Sequence, residues 1–232
     1  MADLPDGWIE ELRDFLDTFP NTLAEIDRLL TTNQIHIGRT QGVGAISAEE
    51  AINYGLTGPN LRAAGVPYDV RKDRPYYDYQ TYDFEVPVGE HGDCYDRYLC
   101  RMEEMRQSVR ILRQAIARLP GGPINVPDPS VSLPSKTDCM SDMESMIHHF
   151  KLITEGIPAP DGDCYYAVEG SKGELGMYVV AEEGSTKPVR WRIRPPSFVN
   201  LSAIARLAEG HLVSDLIMIN ASLDIVLGEI DR

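Results

Sequence analysis

The chain has 232 residues, a formal net charge of −14 and a pI near 4.7, so it lacks the basic footprint that nucleic-acid binding needs. Apolar residues make up 43 % and charged residues 25 %, which suits a folded protein with a sizeable core, as one large domain or two small ones. The longest apolar stretch, residues 212–227, is broken by Asp215, Asn220 and Asp224, so no membrane-spanning segment is predicted.

From the N-terminus, residues 8–19 read as a short amphipathic helix that ends at Phe19-Pro20. A second helix is expected over residues 23–33, with Leu23, Ile26, Leu29 and Leu30 on one face. Ser47 is an N-cap with Glu50 at the capping-box position, opening a third helix that stops near Gly55. Residues 57–92 show no period and form a long irregular connection. Its aromatics (Tyr68, Tyr76, Tyr77, Tyr79, Tyr82, Phe84) predict that it packs on itself rather than staying unordered.

The strongest periodic signal covers residues 93–119. Tyr95, Tyr98, Met102, Met105, Val109, Leu112, Ile116 and Leu119 follow a 3-4 spacing, which predicts a central helix roughly 40 Å long with one apolar seam. A proline-rich connection follows, then a helix over residues 141–155 with Met143, Met146, Ile147, Phe150 and Ile153 facing inward. Residues 164–169, 175–181 and 189–193 read as strands, and residues 198–209 and 211–221 as two closing helices. The fold class is mainly helical α+β: a helix bundle around a long central helix, with a small antiparallel sheet toward the C-terminal side. The expected division is a helical bundle over residues 1–155 and the sheet with its closing helices over residues 156–232, packed on the bundle as one unit.

Most candidate motifs have ordinary readings. Gly38, Gly42 and Gly44 lack the strand and full signature of a phosphate loop and read as turn glycines. Glu144 and His148 are an i, i+4 pair with His149 beside it; a helix-stabilising pair is the plainer reading than a metal site. Arg97, Arg101, Arg106, Arg110 and Arg113 recur along the long helix and need acidic neighbours from elsewhere; they read either as a solvated face or as a polar network inside a larger assembly. Cys94, Cys100, Cys139 and Cys164 form no C-x-x-C pair and no signal peptide precedes them, so reduced structural thiols are expected. No nucleophilic triad is legible. The segment 224–232 is apolar with three acids and a closing arginine, which predicts an ending docked within the protein or against a partner.

Several stretches together resemble a known family. They are Gly42-Val43-Gly44-Ala45-Ile46-Ser47, Thr57-Gly58-Pro59-Asn60-Leu61-Arg62 and Gly92-Asp93-Cys94-Tyr95-Asp96-Arg97-Tyr98-Leu99. Ile147-His148-His149-Phe150-Lys151, Lys172-Gly173-Glu174-Leu175-Gly176, Ile193-Arg194-Pro195-Pro196-Ser197-Phe198 and residues 223–232 complete the set. Over essentially the whole chain these are similar to the D-type subunit of respiratory NADH:quinone oxidoreductase, complex I, a family related to the large subunit of [NiFe] hydrogenases.

The resemblance implies a peripheral-arm subunit that forms part of the quinone-reduction chamber. It would lie beside an iron–sulfur subunit carrying the terminal 4Fe-4S cluster, with other peripheral-arm and membrane subunits as further partners. Quinone is then the substrate, NADH and the cluster belong to other subunits, and no cofactor is expected on this chain. The location implied is the cytoplasmic face of the cell membrane. Hydrogenase relatives hold nickel and iron through two C-x-x-C motifs. Residues 224–232 carry no cysteine, so no metal site is expected there. By resemblance, the quinone-site wall comprises Lys172, Asp224, Val226, Leu227, Gly228, Glu229 and Arg232, with Asp231 in the same segment, and Arg97, Arg101 and Glu104 form a structural charge network. Leu227 stands where the family usually has Phe. Asp224 lies among Leu223, Ile225 and Val226, and burial of such an acid raises its pKa, which makes it a candidate proton-handling group. Family members are longer, and the extra length before Asp3 carries the histidine and tyrosine that grip the quinone headgroup. The isolated chain is therefore expected to be inactive. A metal-bearing hydrogenase relative and a non-catalytic assembly protein are the alternatives.

Overall fold

A computed structural model describes residues 3–231. Helix α1 (Trp8–Ile26) runs through Pro20 instead of ending there. A proline inside a helix deprives the carbonyl four residues back of its donor. That carbonyl belongs to Leu16, and Arg113 Nη2 donates to it at 2.9 Å. A π-helical turn (Asp27–Thr31) follows, and then α2 (Gln34–Thr40), which the sequence pattern does not indicate. Asn33 marks its start, its side chain accepting from the Ile35 and His36 amides.

The expected capping box opens α3 (Ala48–Asn53): Ser47 Oγ accepts from Glu50 N at 3.2 Å, and Glu50 Oε2 accepts from Ser47 N at 3.3 Å. Residues 57–92 are irregular but packed. They contain the short helices α4 (Pro59–Ala63) and α5 (Val70–Asp73) and a 3₁₀ turn (Tyr79–Thr81). Tyr76 meets Tyr79 edge-on with centroids 4.9 Å apart, and Lys72 lies 4.1 Å over the Phe84 ring.

Helix α6 (Cys94–Ala117) is the predicted long helix, capped by Asp93, which accepts from Asp96 N at 2.8 Å. Its buried face differs from the predicted seam. Met102 and Val109 are buried, but Leu112 is exposed, and Cys94, Asp96, Arg97 and Cys100 are buried instead. The cause is what packs there. Loop backbone packs against part of the first turns, and its groups need polar partners. Asp93 accepts from Gly42 N, and Asp96 accepts from Glu90 N and His91 N.

Beyond α6 come α7 (Lys136–Ser141) and α8 (Met143–Thr154). Met143, Met146, Ile147, Phe150 and Ile153 do not face inward as expected; all are exposed. Their helical neighbour is α7, only six residues long and too short to cover them. Strands β1 (Gly162–Gly170), β2 (Gly173–Ala181) and β3 (Arg190–Arg194) form an antiparallel sheet in the order β1-β2-β3, as expected. The first closing helix divides into α9 (Pro196–Leu201) and α10 (Ile204–Ala208), and α11 (Val213–Leu223) and the short α12 (Leu227–Ile230) follow. The class is mainly helical α+β, as the sequence implied.

The chain forms two compact units. One comprises Leu119–Tyr166, Met177–Arg192 and the described residues before Gly7. The other comprises Gly7–Arg118, Ala167–Gly176 and the residues from Ile193 on. In this division α9 to α12 and the β1–β2 turn belong with α1 to α6. The larger unit's apolar core gathers Ile46, Leu56, Leu61, Cys94, Leu207, Ile219 and Leu223. Among the described residues no helix is long and apolar enough to cross a membrane.

Candidate functional site

The site is built around the tight β1–β2 turn, whose close approach to the Thr57-Gly58 backbone needs two glycines. A Cβ on Gly58 would lie 2.4 Å from Gly173 Cα, and one on Gly173 would lie 2.6 Å from Thr57 Oγ1. Gly173 has φ of +132°, a region that side chains avoid. Thr57 Oγ1 accepts from Glu174 N at 3.1 Å, and Asn200 Nδ2 donates to Lys172 O at 3.1 Å. Arg194 adds two bonds, from Nη1 to Glu174 O at 2.6 Å and from Nη2 to Gly55 O at 2.8 Å. The turn is thus clamped by backbone contact and buried donors.

This clamp delivers Lys172 to Asp224, and the two side chains form an ion pair. Asp224 caps the C-terminus of α11 in the left-handed conformation (φ 55°, ψ 53°), which turns its carboxylate back toward the hairpin. Asn60 Nδ2 holds the preceding Leu223 carbonyl at 3.2 Å. Arg101, from α6, brings its Nε to 3.5 Å from Asp224 Oδ2. Asp224 is therefore not the desolvated acid the sequence suggested: its side chain keeps 38 % of its exposure and has a cationic partner.

Next to this group lies a buried charge cluster centred on Arg62. Its Nε and Nη2 donate to Glu104 Oε1 at 2.9 and 2.5 Å, and its Nη1 donates to Glu169 Oε1 at 2.8 Å. Asp69 Oδ2 lies 3.7 Å from the same guanidinium and is gripped by Arg71. Burial pushes the Glu169 carboxyl above its ordinary range, and Arg62 offsets this only in part, because Asp69 adds a like charge. Asp69 is held below its ordinary range because Arg71 and Arg62 outweigh its burial. A cavity of about 410 Å³ opens between the two groups, lined by Arg62, Arg101, Glu104, Glu169, Ser171 and Asp224.

Glu104 pairs with Arg62 rather than with Arg97 or Arg101. Arg97 is buried, donating to the Gly44 and Gly92 carbonyls and to Ser222 Oγ. Of the expected wall, Lys172 and Asp224 come together. The last segment folds against α9 through a reciprocal clasp. Ser197 Oγ accepts from Val226 N at 3.2 Å, and Glu229 Oε2 accepts from Ser197 N at 3.1 Å. Val226 and Leu227 are exposed, and Gly228 has open space around it. Arg232 lies outside the described residues. Sequence reasoning assigned no role to Arg62, Asn60, Asn200, Glu169 or Ser197. Arg62 lies in a stretch without period, where the available signal was the Gly58-Pro59 helix start three residues before it. Among the described residues no three His, Cys, Asp or Glu side chains converge as a metal-binding group.

The family model described as "Respiratory-chain NADH dehydrogenase, 49 Kd subunit" matches residues 1–232. A protein named as the D-type subunit of NADH-quinone oxidoreductase from Methylacidiphilum infernorum is 53 % identical over 230 residues, covering 99 % of this chain and 55 % of the relative. Proteins of the same name from Geotalea uraniireducens and Geobacter sulfurreducens are 52 % and 50 % identical, covering 99 % and 100 % of this chain and 59 % of each relative. The chain belongs to the 49 kDa subunit family of respiratory-chain NADH dehydrogenase. It spans somewhat over half the length of the curated relatives it matches.

Proposed function

We propose that this member of the 49 kDa subunit family forms one wall of the quinone-reduction site of a membrane-associated NADH:quinone oxidoreductase. The proposal rests on its relatives' common name, as D-type subunits of NADH-quinone oxidoreductase, and on one feature of its own geometry. That feature is the Lys172–Asp224 ion pair beside Arg101, at the point where the C-terminal segment leaves α11. Charged groups fixed by a rigid clamp at a cavity mouth are the means by which a protein orients a polar headgroup.

In this reading the chain holds no redox centre. NADH and a 4Fe-4S cluster are bound by partner subunits, one of which packs beside residues 224–232. Val226 and Leu227, exposed here, would face that neighbour or the quinone. The chain is peripheral and reaches the membrane through partners, consistent with the lack of a spanning helix among its described residues.

The reading is tested in the full-length protein, assembled in native membranes. Asp224→Asn and Lys172→Met are expected to impair NADH:quinone reduction while NADH:ferricyanide reduction, which reads electron entry alone, is retained. Unchanged quinone kinetics in both variants would overturn it.

A further inference from the structure

Two buried asparagines converge on the Lys172–Asp224 pair. Asn60 in α4 keeps 1 % of its exposure and Asn200 in α9 keeps none. Asn200 Nδ2 donates to the carbonyl of Lys172 itself at 3.1 Å. Asn60 Nδ2 donates at 3.2 Å to Leu223 O, the carbonyl just before Asp224 at the end of α11. The final carbonyls of a helix have no partner within it, so an outside donor fixes where the chain leaves α11. Asn60 Oδ1 also accepts from Arg101 Nη2 at 3.3 Å, and Arg101 Nε lies 3.5 Å from the Asp224 carboxylate. Each asparagine thus holds the backbone at one end of the ion pair, and Asn60 holds the second cation beside it.

Stability alone does not account for them. Asn200 Oδ1 is enclosed and accepts from no donor among the described residues. An enclosed acceptor without a donor destabilises a fold, and an apolar side chain of similar volume carries no such group. What the Asn200 amide gains is a bond to Lys172 O. The ion pair served by that bond keeps 23 % and 38 % of its side-chain exposure, too much for the pair to add appreciably to stability. A buried polar group that weakens the fold while steering an exposed ion pair marks a functional position.

We propose that Asn60 and Asn200 are positioning residues for quinone reduction, acting through Asp224 and Lys172 respectively. This rests on the function proposed above. Neither asparagine touches the quinone: their amides hold backbone, and the backbone sets where the carboxylate and the ammonium project. Charged groups that orient a substrate need placement to within roughly 0.5 Å, and a shift of about 1 Å slows a reaction by up to about a hundredfold. Lys172 is the more demanding of the two, since its flexible four-carbon stem gives no placement of its own. It is restricted by an anchored carbonyl at its root and a carboxylate at its tip.

The experiment uses the full-length protein in its assembled complex, with every rate taken per assembled complex. Asn200→Leu removes the donor to Lys172 O at nearly constant volume, and Asn60→Ala removes the donor to Leu223 O. Each is expected to lower kcat/KM for a short-chain quinone about fivefold, with NADH:ferricyanide activity unchanged. The effect must also run through the pair. In a Lys172→Met background Asn200→Leu is expected to cause no further fall, and likewise Asn60→Ala in an Asp224→Asn background. Less assembled complex with an unaltered kcat/KM would mean that the asparagines are only structural, and overturns the assignment. So does a fivefold fall that persists in full in those backgrounds. Asn200→Leu carries the test by itself where Asn60→Ala does not assemble. If Lys172→Met and Asp224→Asn change the quinone kinetics while the asparagine variants do not, the positioning role fails and the proposed function stands. If Lys172→Met and Asp224→Asn change nothing, the proposed function fails and the positioning role with it.

Discussion

Lys172 and Asp224, 52 positions apart in sequence, meet in one ion pair because two independent pieces of backbone are locked. The lysine sits in a turn pressed against Thr57 and Gly58, and the aspartate in a left-handed cap at the end of α11. The pair is a product of this geometry and contributes little to it. Its side chains keep 23 % and 38 % of their exposure, and pairs of that kind contribute roughly 0.2–1 kcal/mol.

Removing the pair should therefore leave the fold standing. Lys172→Met and Asp224→Asn are each expected to shift the unfolding free energy of the full-length chain by no more than about 1 kcal/mol. Asn tolerates the left-handed conformation at position 224, whereas a β-branched residue does not. Asp224→Val should cost about 1–2 kcal/mol more than Asp224→Asn. Urea unfolding of the three variants checks this, and equal costs for Asn and Val would contradict the assigned strain.

Gly173→Ala should be more damaging than loss of the lysine itself. The added Cβ would meet Thr57 Oγ1, C and O at 2.6 to 2.9 Å, and most of those atoms are backbone that cannot swing away. The φ of +132° adds strain of about 1–3 kcal/mol. The turn must lift from α4, taking Lys172 away from Asp224. The expected result is lower stability and a quinone-reduction defect at least as large as that of Lys172→Met. A variant that keeps wild-type kinetics would show that the turn's position does not matter.

The features that were legible in the sequence share one property: they are local. The Ser47–Glu50 box, the Asp93 start of α6 and the three strands each follow from residues a few positions apart. Pro20 misled because its helix is rescued from a distance, by Arg113 bonding Leu16 O from another helix. The long seam misled because periodicity marks which side chains share a face but not what lies opposite. Loop backbone packs on the first turns of α6 beside α11 and selects Asp96 and Arg97 for burial. The Arg62 cluster joins residues up to 107 positions apart, and no local pattern encodes it.

Arg62 holds that cluster together. Replacing it with Met leaves Glu104, Glu169 and Asp69 around a site without its central cation. Breaking a buried pair from one side costs about 3–5 kcal/mol, and Arg62→Met is expected to fall in that range. Arg62→Lys should recover only part of it, because an ammonium cannot serve Glu104 and Glu169 through two edges of one planar fork. Denaturant midpoints of the two variants test the order. A lysine variant as stable as the wild type would show that charge alone suffices.

The C-terminal clasp makes a prediction about motion. Ser197 bonds Val226 N through its hydroxyl and Glu229 through its amide, while Leu227 beyond them is exposed. Ser197→Ala removes the acceptor for Val226 N, a loss of about 1 kcal/mol local to this segment. Amide hydrogen exchange of residues 226–231 should speed up several-fold, with the α6 core unaffected. Equal protection in the variant would mean that the segment is held by other contacts.

Glu169 makes the sequence of pH effects in the cluster asymmetric. Asp69, Glu104 and Glu169 share Arg62, and Asp69 is also held by Arg71. Glu169 is the one whose burial outweighs its pairing, and its folded pKa lies above the ordinary 4.5. Between 4.5 and the folded pKa, the folded chain holds a proton that the unfolded chain has lost. This contribution to stability is therefore fully present below 4.5 and is lost as pH rises through the folded value. Gln at position 169 imitates the protonated acid and suffers no such loss, and Arg62 keeps Glu104 as a partner. The stability of Glu169→Gln relative to wild type should therefore increase as pH is raised above 4.5 through the folded value, then level off. Urea midpoints of the two full-length proteins across that range measure it. A variant that loses ground as pH rises would show that pairing with Arg62 outweighs burial, and would make the ionised Glu169 a net support of the fold.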